Sequence, residues 1–455
     1  MSFDTILNQI NSFIWGAPLL ILLSGVGLYL TLSLKGIQIT QLGRAFVYMF
    51  KPEKGNNQSG DISAFAALST ALAATIGTGN IVGVATAIHS GGPGALFWMW
   101  LIALFGMATK YAEGLLAIKY RTKDKSGFVA GGPMYYIEMG MGKKWRWLAK
   151  AFAFFGILVA LLGIGTFPQV NGITTALEKT FDIPIIFSAI ILTLVVTSII
   201  LGGVKRISKI AAIIVPFMAI AYVVASLSVI LMNADKVPSA IATIIHAAFN
   251  PEAALGGAFG FTVMQAIQLG VARGIFSNES GLGSAPIAAA AAQTKEPVRQ
   301  GLISMTGTFL DTIIVCTMTG LVIVISGAWT GDIKGAALTT TAFTQGLDSS
   351  FGAIIVTVGL VFFAFTTILG WCYYGERCFV YLTKGRTQYL KLYRFVFIAL
   401  IASAPFLTLE TIWTIADIVN GLMAFPNLIA LIALRKVIIG ETKDFFNRLK
   451  KGETL

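Results

Sequence analysis

The sequence has few of the side chains from which soluble enzymes build catalytic and metal sites. Among 455 residues there are 2 histidines and 3 cysteines, and charged residues make up only 12%. The cysteines show no CxxC spacing, which supports neither a zinc site nor a disulfide framework. The two histidines lie far apart and no HExxH or GxSxG motif is present. An enzyme is therefore not predicted.

What the chain has in excess is apolar residues, which make up 56% of it and give a mean hydropathy of +0.79. A soluble domain carries about 25% charged residues, so this chain has too little polar material to cover a surface that faces water. Stretches such as 185–201 and 210–232 are almost without charge. The composition predicts an all-α, polytopic membrane protein surrounded by lipid.

About eleven segments are predicted to cross the bilayer, since about 20 apolar residues span its hydrocarbon core. They are 14–33, 62–88, 95–118, 149–177, 184–201, 208–232, 257–291, 301–326, 350–380, 393–408 and 411–435. The spans 62–88 and 257–291 contain glycine-rich interruptions at 76–80 and 277–283. Because such runs make poor continuous helix, both spans are predicted to be discontinuous helices.

Lysine and arginine are distributed unevenly over the connecting loops. With eleven spans, 28 of the 33 basic residues fall in loops on one side, whereas only Lys179, Lys236 and Lys334 fall on the other. The positive-inside rule then places the N-terminus outside and the C-terminus in the cytoplasm, in a multi-pass protein of the cell (plasma) membrane. The same asymmetry explains the net charge of +12 without a nucleic-acid partner.

The order of the spans predicts an internal repeat. When the first span is set aside, two sets of five remain, each beginning with a broken helix and running in opposite directions, as in inverted-repeat transporters. The predicted parts are 1–61 (external N-terminus, extra helix and cytoplasmic loop), 62–232 (first repeat), 233–256 (external loop), 257–436 (second repeat) and 437–455 (cytoplasmic tail). The external stretches 233–256 and 327–348 are predicted either to hold short helices or a lid, or to be ordinary loops.

The strongest local signal is the break at 73–83, with the sequence AATIGTGNIVG. Unwound backbone inside a membrane is tolerated only around a cavity or a ligand. Carbonyls that end the first half-helix can bind a cation, and amides that open the second can hold a carboxylate. A zwitterion together with a metal ion fits this arrangement. The alternative is that Gly77, Gly79 and Gly83 only permit close helix packing.

Three motifs are similar to those of a known family, namely TIGTGNIVGVA at 75–85, GGPGALFWMW at 91–100 and NESGLGSAP at 278–286. From Trp15 to Lys436 the chain resembles the alanine or glycine:cation symporter family, the sodium/alanine symporters. The resemblance implies a five-plus-five inverted-repeat fold like that of the bacterial leucine transporter, preceded by one extra helix. It also implies uptake of alanine or glycine with sodium (Na+) as the coupling ion.

The resemblance further implies roles for residues at the first break. The amides of Thr78 and Gly79 match positions that meet the substrate carboxylate. Sodium is implied at main-chain carbonyls of the break and at two adjacent hydroxyls of the span 350–380, with one more sodium position at an asparagine after the turn. These positions are Ala73, Ile76, Thr366, Thr367 and Asn80. The alternative for the threonines is a bond from each hydroxyl to a carbonyl one turn earlier.

Bulky side chains near the breaks are predicted to restrict the pocket to a short amino-acid side chain. Trp371 follows Thr367 by four residues and therefore shares its helical face. The other predicted substrate contacts are Phe276 and Ser277 at the second break, and Phe167 and Gln169 at a kink around Pro168. The alternative for each aromatic residue is ordinary packing or an interfacial anchor.

Ionisable residues inside or beside the spans each cost at least ~2.5–3.5 kcal/mol at a helix centre. They are Lys110, Glu113, Arg273, Glu279 and Asp311. Mutual ion pairing, including a Lys110–Glu113 pair, is the first interpretation. A proton relay is the alternative, which makes proton-coupled amino-acid symport the runner-up to sodium coupling. An ion channel ranks below both, because two isolated breaks do not make a continuous polar path. No oligomeric state is predicted.

Overall fold

A computed structural model describes residues 3–51, 60–125, 127–250, 262–406 and 409–453. These residues are almost entirely helical, with one two-stranded hairpin formed by β1 (Thr122–Lys123) and β2 (Val129–Ala130). Seven helical segments among them are long and apolar enough to cross a bilayer, or eight when a bent pair of helices counts as one span. The predicted class, an all-α polytopic membrane protein, is confirmed.

The helices are numbered in chain order. Up to residue 250 they are α1 (Phe3–Ile14), α2 (Ala17–Ser33), α3 (Ile37–Thr40), α4 (Leu42–Phe50), α5 (Ala64–Thr75), α6 (Val84–Gly91), α7 (Gly94–Lys119), α8 (Pro133–Gly140), α9 (Arg146–Leu162), α10 (Phe167–Phe181), α11 (Ile185–Ile200), α12 (Gly203–Met232) and α13 (Val237–Phe249). From residue 262 they are α14 (Val263–Asn278), α15 (Ala285–Ala289), α16 (Pro297–Thr308), α17 (Thr317–Ser326), α18 (Gly335–Leu347), α19 (Phe351–Leu382), α20 (Leu390–Ser403), α21 (Leu409–Ala433) and α22 (Arg435–Lys450). Two π-helical segments, Gly79–Gly83 and Phe309–Cys316, lead into α6 and α17.

The helix bounds follow most of the predicted spans and differ at several. The span predicted over 149–177 lies within one candidate crossing segment, Lys143–Phe181. Inside this segment Gly163 and Gly165 separate α9 from α10, and Pro168 lies in the first turn of α10. The span 257–291 holds α14 and α15, and its residues 257–261 lie outside the described ones. The helices α11 and α20 have 16 and 14 residues, fewer than the ~20 of a full crossing. The count of eleven spans stays a prediction.

The stretches predicted to be external each contain a helix. Residues 233–256 include α13, and residues 327–348 include α18. The residues 251–256 lie outside the described part of the chain. Helices in both stretches were one of the two interpretations of the sequence, and α18 packs against α17 and α19 rather than standing free.

The helix α7 forms the centre of the protein and α12 forms part of its rim. The helix α7 is buried along most of its length and contacts α2, α14 and α16. In contrast, α12 exposes Ile213, Phe217, Ile220 and Val224, which recur at helical spacing and form one outward stripe. An apolar stripe that faces outward on a long helix is suited to contact with lipid.

One end of the bundle ties the two broken helices together. Just before α5, the Asp61 N–H donates to the carbonyl of Ala291, just after α15, at 2.9 Å. The guanidinium of Arg121 donates to the carbonyls of Ala290 and Ala292 at 2.9 and 2.7 Å. The outer ends of α5 and α15 are therefore held against each other and against the segment after α7.

Candidate functional site

The first helix break lies between α5 and the segment 79–91, whose axes differ by 52°. Ile76 follows α5 in an extended conformation, so its carbonyl leaves the helical ladder. The Gly77 N–H donates to Asn80 Oδ1 at 2.9 Å, and the Thr78 N–H donates to Gln169 Oε1 at 3.1 Å. Side chains thus satisfy the unwound backbone, as buried polar groups in a membrane require.

Two glycines let other helices approach this turn. A Cβ on Gly77 would lie 2.5 Å from Thr367 Oγ1, and a Cβ on Gly79 would lie 3.1 Å from the Cα of Ser277. Gly77 therefore admits α19, and Gly79 admits the end of α14. The first break therefore contacts α19 and α14, the two helices that carry most of the other predicted site residues.

The second break separates α14 from α15 over residues 279–284. Glu279, Gly281 and Gly283 all have positive φ there. Glu113 on α7 accepts a bond from the Gly281 N–H at 3.1 Å, and Asn427 on α21 donates to the Gly281 carbonyl at 2.9 Å and to Glu113 at 2.7 Å. A carboxylate and a carboxamide from neighbouring helices therefore take the place of helical hydrogen bonds.

Three oxygen atoms lie close together where α19 meets the first break. Thr367 Oγ1 lies 3.2 Å from the Ile76 carbonyl oxygen and 3.0 Å from that of Phe363. Thr366 Oγ1 bonds back to Phe363 at 3.0 Å and lies 3.6 Å from Met218 Sδ on α12. The structure thus brings Thr367 to the break and turns Thr366 toward α12. Both hydroxyls also make the backbone bond that was the alternative interpretation.

The Thr78 side chain at this turn carries a buried hydroxyl. Its Oγ1 is buried and has no hydrogen-bond partner among the described residues. Ala73, the other predicted carbonyl position, is fully buried in the last turn of α5. Because buried polar atoms are almost always bonded, a polar ligand at this turn would satisfy the Thr78 hydroxyl. Carbonyl and hydroxyl oxygens also form the donor set that suits a hard cation.

Asp311, on the π-helical segment before α17, joins the two breaks. Asn80 Nδ2 donates to Asp311 Oδ1 at 2.8 Å, and the hydroxyls of Ser277 and Thr312 donate to Asp311 Oδ2 at 2.9 and 2.8 Å. The Asn80 carboxamide therefore makes two bonds: its Oδ1 accepts from the Gly77 N–H, and its Nδ2 donates to Asp311. The sequence indicated Asp311 only as an ionisable residue in an apolar span, and its partners were missed.

The predicted pocket walls are buried around the same region. Trp371 Nε1 donates to Glu279 Oε1 at 2.9 Å, which links α19 to the second break. The ring of Phe276 packs against Trp413 on α21, with centroids 5.3 Å apart. Phe167 is buried as the first residue of α10. The three aromatic residues are therefore buried inside the protein and do not lie at its lipid-facing rim.

The mutual ion pairs expected among the ionisable residues are not formed in the described part of the chain. Arg273 pairs with Asp417 on α21 through two bonds of 3.0 and 2.8 Å. Glu113 and Glu279 bond to groups at the second break and to Asn427 and Trp371, as given above. The predicted Lys110–Glu113 pair is therefore wrong for the described residues. Neutral groups hydrogen-bond the two glutamates instead, namely the Gly281 N–H and the Asn427 carboxamide at Glu113, and the Ser284 hydroxyl and the Trp371 indole at Glu279.

Lys110 on α7 stays without a hydrogen-bond partner among the described residues. Its side chain is buried and lines a small cavity together with Thr75 and Asn278, the last residues of α5 and α14. The cavity has room for one or two water molecules. The Lys110 ammonium group therefore lies next to the ends of α5 and α14, where the two breaks begin.

Comparison with known proteins gives consistent results over the full length. The family model described as the sodium:alanine symporter family matches residues 1–455. An uncharacterised transporter of Haemophilus influenzae is 70% identical over 99% of this chain and 98% of its own. The sodium/alanine symporter AgcS of Methanococcus maripaludis is 50% identical over 100% of this chain and 99% of its own. The probable sodium/glutamine symporter GlnT of Bacillus subtilis is 38% identical over 99% and 92%.

Proposed function

The chain belongs to the sodium:alanine symporter family, and on this premise we propose that it imports a small neutral amino acid, alanine or glycine, together with Na+ by alternating access. The family and its relatives support sodium-coupled symport of an amino acid. The choice of alanine or glycine and the positions of the ion and the substrate are the further content of the proposal.

The observation that carries the proposal is a single unwound turn with two different polar sides. On one side the Ile76 carbonyl oxygen meets the Thr367 hydroxyl, and on the other the Thr78 hydroxyl has no hydrogen-bond partner in the part of the chain that the structure describes. We propose that Na+ lies between the carbonyls of Ala73 and Ile76 and the Thr367 hydroxyl, which is 3.2 Å from the Ile76 oxygen. The substrate carboxylate is placed at Thr78 and Gly79, two and three residues further. Each ligand then orders the turn that the other binds, which is the reciprocal coupling that symport requires.

The substrate is proposed to be small because buried bulk surrounds the turn. Phe276 and Trp371 are almost wholly buried, and Phe167 lies two residues before Gln169. The Gln169 carboxamide oxygen accepts a bond from the Thr78 N–H, so a substrate carboxylate has to share or replace this bond. Ser277 completes the proposed set of substrate contacts, and Asn80 stays a proposed position for a further sodium ion.

The membrane architecture is part of the same proposal. We propose eleven spans, with an extra first helix followed by inverted repeats over 62–232 and 257–436. The N-terminus is placed outside and the C-terminus in the cytoplasm of a plasma-membrane protein, as the positive-inside rule indicates. The two broken helices that open the repeats lie in contact at Gly79 and Ser277, which supports a shared site between the repeats.

Sodium coupling supplies enough free energy for accumulation. Moving one charge through ~100 mV is worth ~2.3 kcal/mol. At about 1.4 kcal/mol per tenfold change, one Na+ per neutral amino acid supports roughly 50-fold accumulation from the voltage alone. The chemical gradient of sodium adds to this, so a stoichiometry of one ion suffices for uptake.

The proposal is tested by uptake of labelled alanine into proteoliposomes under an inward sodium gradient, with potassium replacement and an imposed pH gradient as the other arms. We expect sodium-dependent accumulation that glycine competes with and that is lost when Thr366→Ala and Thr367→Ala are combined. Uptake that does not depend on sodium but increases with the imposed pH gradient would favour proton coupling, with Glu279 and Asp311 as the candidate proton carriers. Absence of alanine uptake under either gradient, with glutamine accepted instead, would contradict the proposed substrate.

A further inference from the structure

A second cavity lies away from the helix breaks, beside the β1–β2 hairpin. The hairpin, α8, the start of α9 and the end of α19 enclose about 900 Å³ of empty space, including the open mouth. Its lining includes four lysines, Lys123, Lys125, Lys150 and Lys384. We call it the lysine cavity. None of the residues assigned above to sodium or substrate lines it.

The acidic side chains of the lysine cavity are already engaged. Asp124 accepts a bond from Arg377 Nη1 at 3.1 Å. Glu138 lies 2.8 Å from Arg146 Nε and also accepts a bond from the Tyr381 hydroxyl. In contrast, none of the four lysines takes part in a salt bridge within the described part of the chain. The cavity therefore presents uncompensated positive charge to a ligand.

The helix α9 places the mouth of the cavity at the border of the bilayer. Trp147 and Phe154, three residues before and four residues after Lys150, are 62% and 53% exposed and share its helical face. The Trp147 ring stacks on Trp145 with centroids 6.2 Å apart. Tryptophan at the end of a membrane helix is typical of the headgroup level. Lys150 thus lies where an apolar, outward-facing helix surface meets the charged cavity.

The turn after α19 forms the other side of the cavity mouth. The helix α19 ends in a turn in which Lys384 and Gly385 have φ values of 54° and 77°, and the Gly385 N–H donates to the Val380 carbonyl at 2.8 Å. A Cβ on Gly385 would lie 3.1 Å from Lys125 Cγ, so the stem of Lys125 crosses this turn. The Lys384 N–H also donates to the Tyr381 carbonyl at 3.1 Å, so this turn is a Schellman cap that ends α19 and fixes the position of Lys384 at the mouth.

We propose that the lysine cavity binds the phosphate headgroup of an anionic phospholipid. The lysines contact the phosphate oxygens, and the acyl chains follow the outward face of α9 along Trp147 and Phe154. Basic pockets between membrane helices hold anionic headgroups in this way. A lipid fits the site better than a soluble phosphate compound does, because the exposed apolar face continues directly from the charged one. The assignment does not depend on the ion or the amino acid that is transported.

The test measures lipid retention by native mass spectrometry on the delipidated full chain, with phosphatidylglycerol or phosphatidylcholine of identical acyl chains added back. The wild type is expected to retain phosphatidylglycerol in preference. Each lysine near a membrane surface strengthens such binding about fivefold, so Lys150→Gln with Lys384→Gln is expected to weaken it about 25-fold. The matched control, Lys143→Gln with Lys144→Gln, removes the same charge from exposed residues outside the cavity and is expected to bind as the wild type does.

Three outcomes would overturn the proposal. Equal retention of the two lipids would mean that the headgroup is not recognised. Equal loss in the two double variants would assign the effect to general surface charge. Displacement of the lipid by inorganic phosphate or glycerol phosphate at the same concentration would assign the cavity to a soluble phosphate compound. All four substituted lysines are exposed, so both double variants are expected to fold. Thermal unfolding of each variant checks this.

Discussion

Gly77 combines two requirements of the first break that alanine does not meet. It starts the unwound turn, and it leaves space for the Thr367 hydroxyl, which an added Cβ would approach to 2.5 Å. Thr367 is β-branched and has little freedom at χ1, so it cannot rotate away without moving α19. We expect Gly77→Ala to abolish sodium-dependent uptake in proteoliposomes while the protein still folds.

Gly83 provides the matched control for this substitution. It lies in the same glycine-rich run, has helical φ and ψ of −64° and −44°, and no atom lies within 4 Å of an added Cβ. Gly83→Ala is expected to keep wild-type uptake. Normal sodium dependence in Gly77→Ala, measured as uptake against sodium concentration, would show that α19 does not approach the turn in the transporting protein.

The adjacent threonines of α19 are distinguished by the structure but not by the sequence. Thr367 reaches the Ile76 carbonyl, whereas Thr366 faces Met218. Replacing a hydroxyl that binds a charged partner costs about 1.5–3 kcal/mol. We therefore expect Thr367→Val to raise the sodium concentration for half-maximal uptake about tenfold or more and Thr366→Val to have a much smaller effect. A larger effect of Thr366→Val would reverse the assignment of the two hydroxyls.

Residue types at the site were predictable, but their partners were not. Glycine runs, hydroxyl pairs and the four-residue spacing of Trp371 from Thr367 are local patterns with a physical meaning. The bond between Trp371 and Glu279 joins residues 92 positions apart, and the bond between Asn80 and Asp311 joins residues 231 apart. Spacing rules do not relate such positions. Polarity inside an apolar span indicated Glu279 and Asp311 as important but left their partners open.

At the scale of elements, breaks with long glycine-rich runs were predicted and a shorter one was not. The runs at 76–80 and 277–283 both interrupt their helices, as expected. The interruption at 163–166 was missed because its two glycines are embedded in a long apolar stretch that is typical of one span. Pro168 was the available signal, since proline is favoured in the first turn of a helix. It was interpreted as a kink.

The pair Arg273–Asp417 fastens the half-helix α14 to α21. Its side chains are 14% and 10% exposed, and the Arg273 guanidinium also lies 5.5 Å from the ring centroid of Phe276. Removing one partner of a largely buried pair leaves an uncompensated charge. We expect Asp417→Asn and Arg273→Gln each to lower the midpoint of thermal unfolding and the double variant to recover part of the loss. The cycle is expected to give a coupling of at least about 1 kcal/mol.

The exposed pair Lys119–Glu441 serves as the control for that cycle. Its side chains are 41% and 30% exposed, and exposed pairs contribute at most about 1 kcal/mol. Its coupling is therefore expected to be smaller than that of Arg273 with Asp417. Strictly additive effects at Arg273 and Asp417 would mean that α14 and α21 are not held together by this contact.

At the scale of the whole molecule, hydropathy predicted the membrane-spanning helices but did not predict that the C-terminal residues pack against them. Residues 437–455 were predicted only as a cytoplasmic tail, because their charge excludes them from the bilayer. The structure has a helix there, α22, which packs against α7, α16 and α21. The Tyr111 and Thr442 hydroxyls lie 2.7 Å apart, and Arg448 makes two bonds to Glu296 at the start of α16, of 3.0 and 2.9 Å. Amphipathic spacing, rather than hydropathy, was the signal for this helix.

Phe445 is the residue that tests whether α22 is part of the fold. It is fully buried, whereas its neighbour Phe446 is only partly buried and lies under the Arg44 guanidinium at 5.5 Å. Truncating a buried phenylalanine costs about 3–5 kcal/mol, and losing an exposed cation–π contact costs about 1 kcal/mol. Phe445→Ala is therefore expected to lower the thermal unfolding midpoint in detergent clearly more than Phe446→Ala does. If the two variants unfold alike, and deletion after Leu434 leaves the midpoint unchanged, α22 is a dispensable tail, and its contacts with α7 and α16 do not stabilise the membrane body.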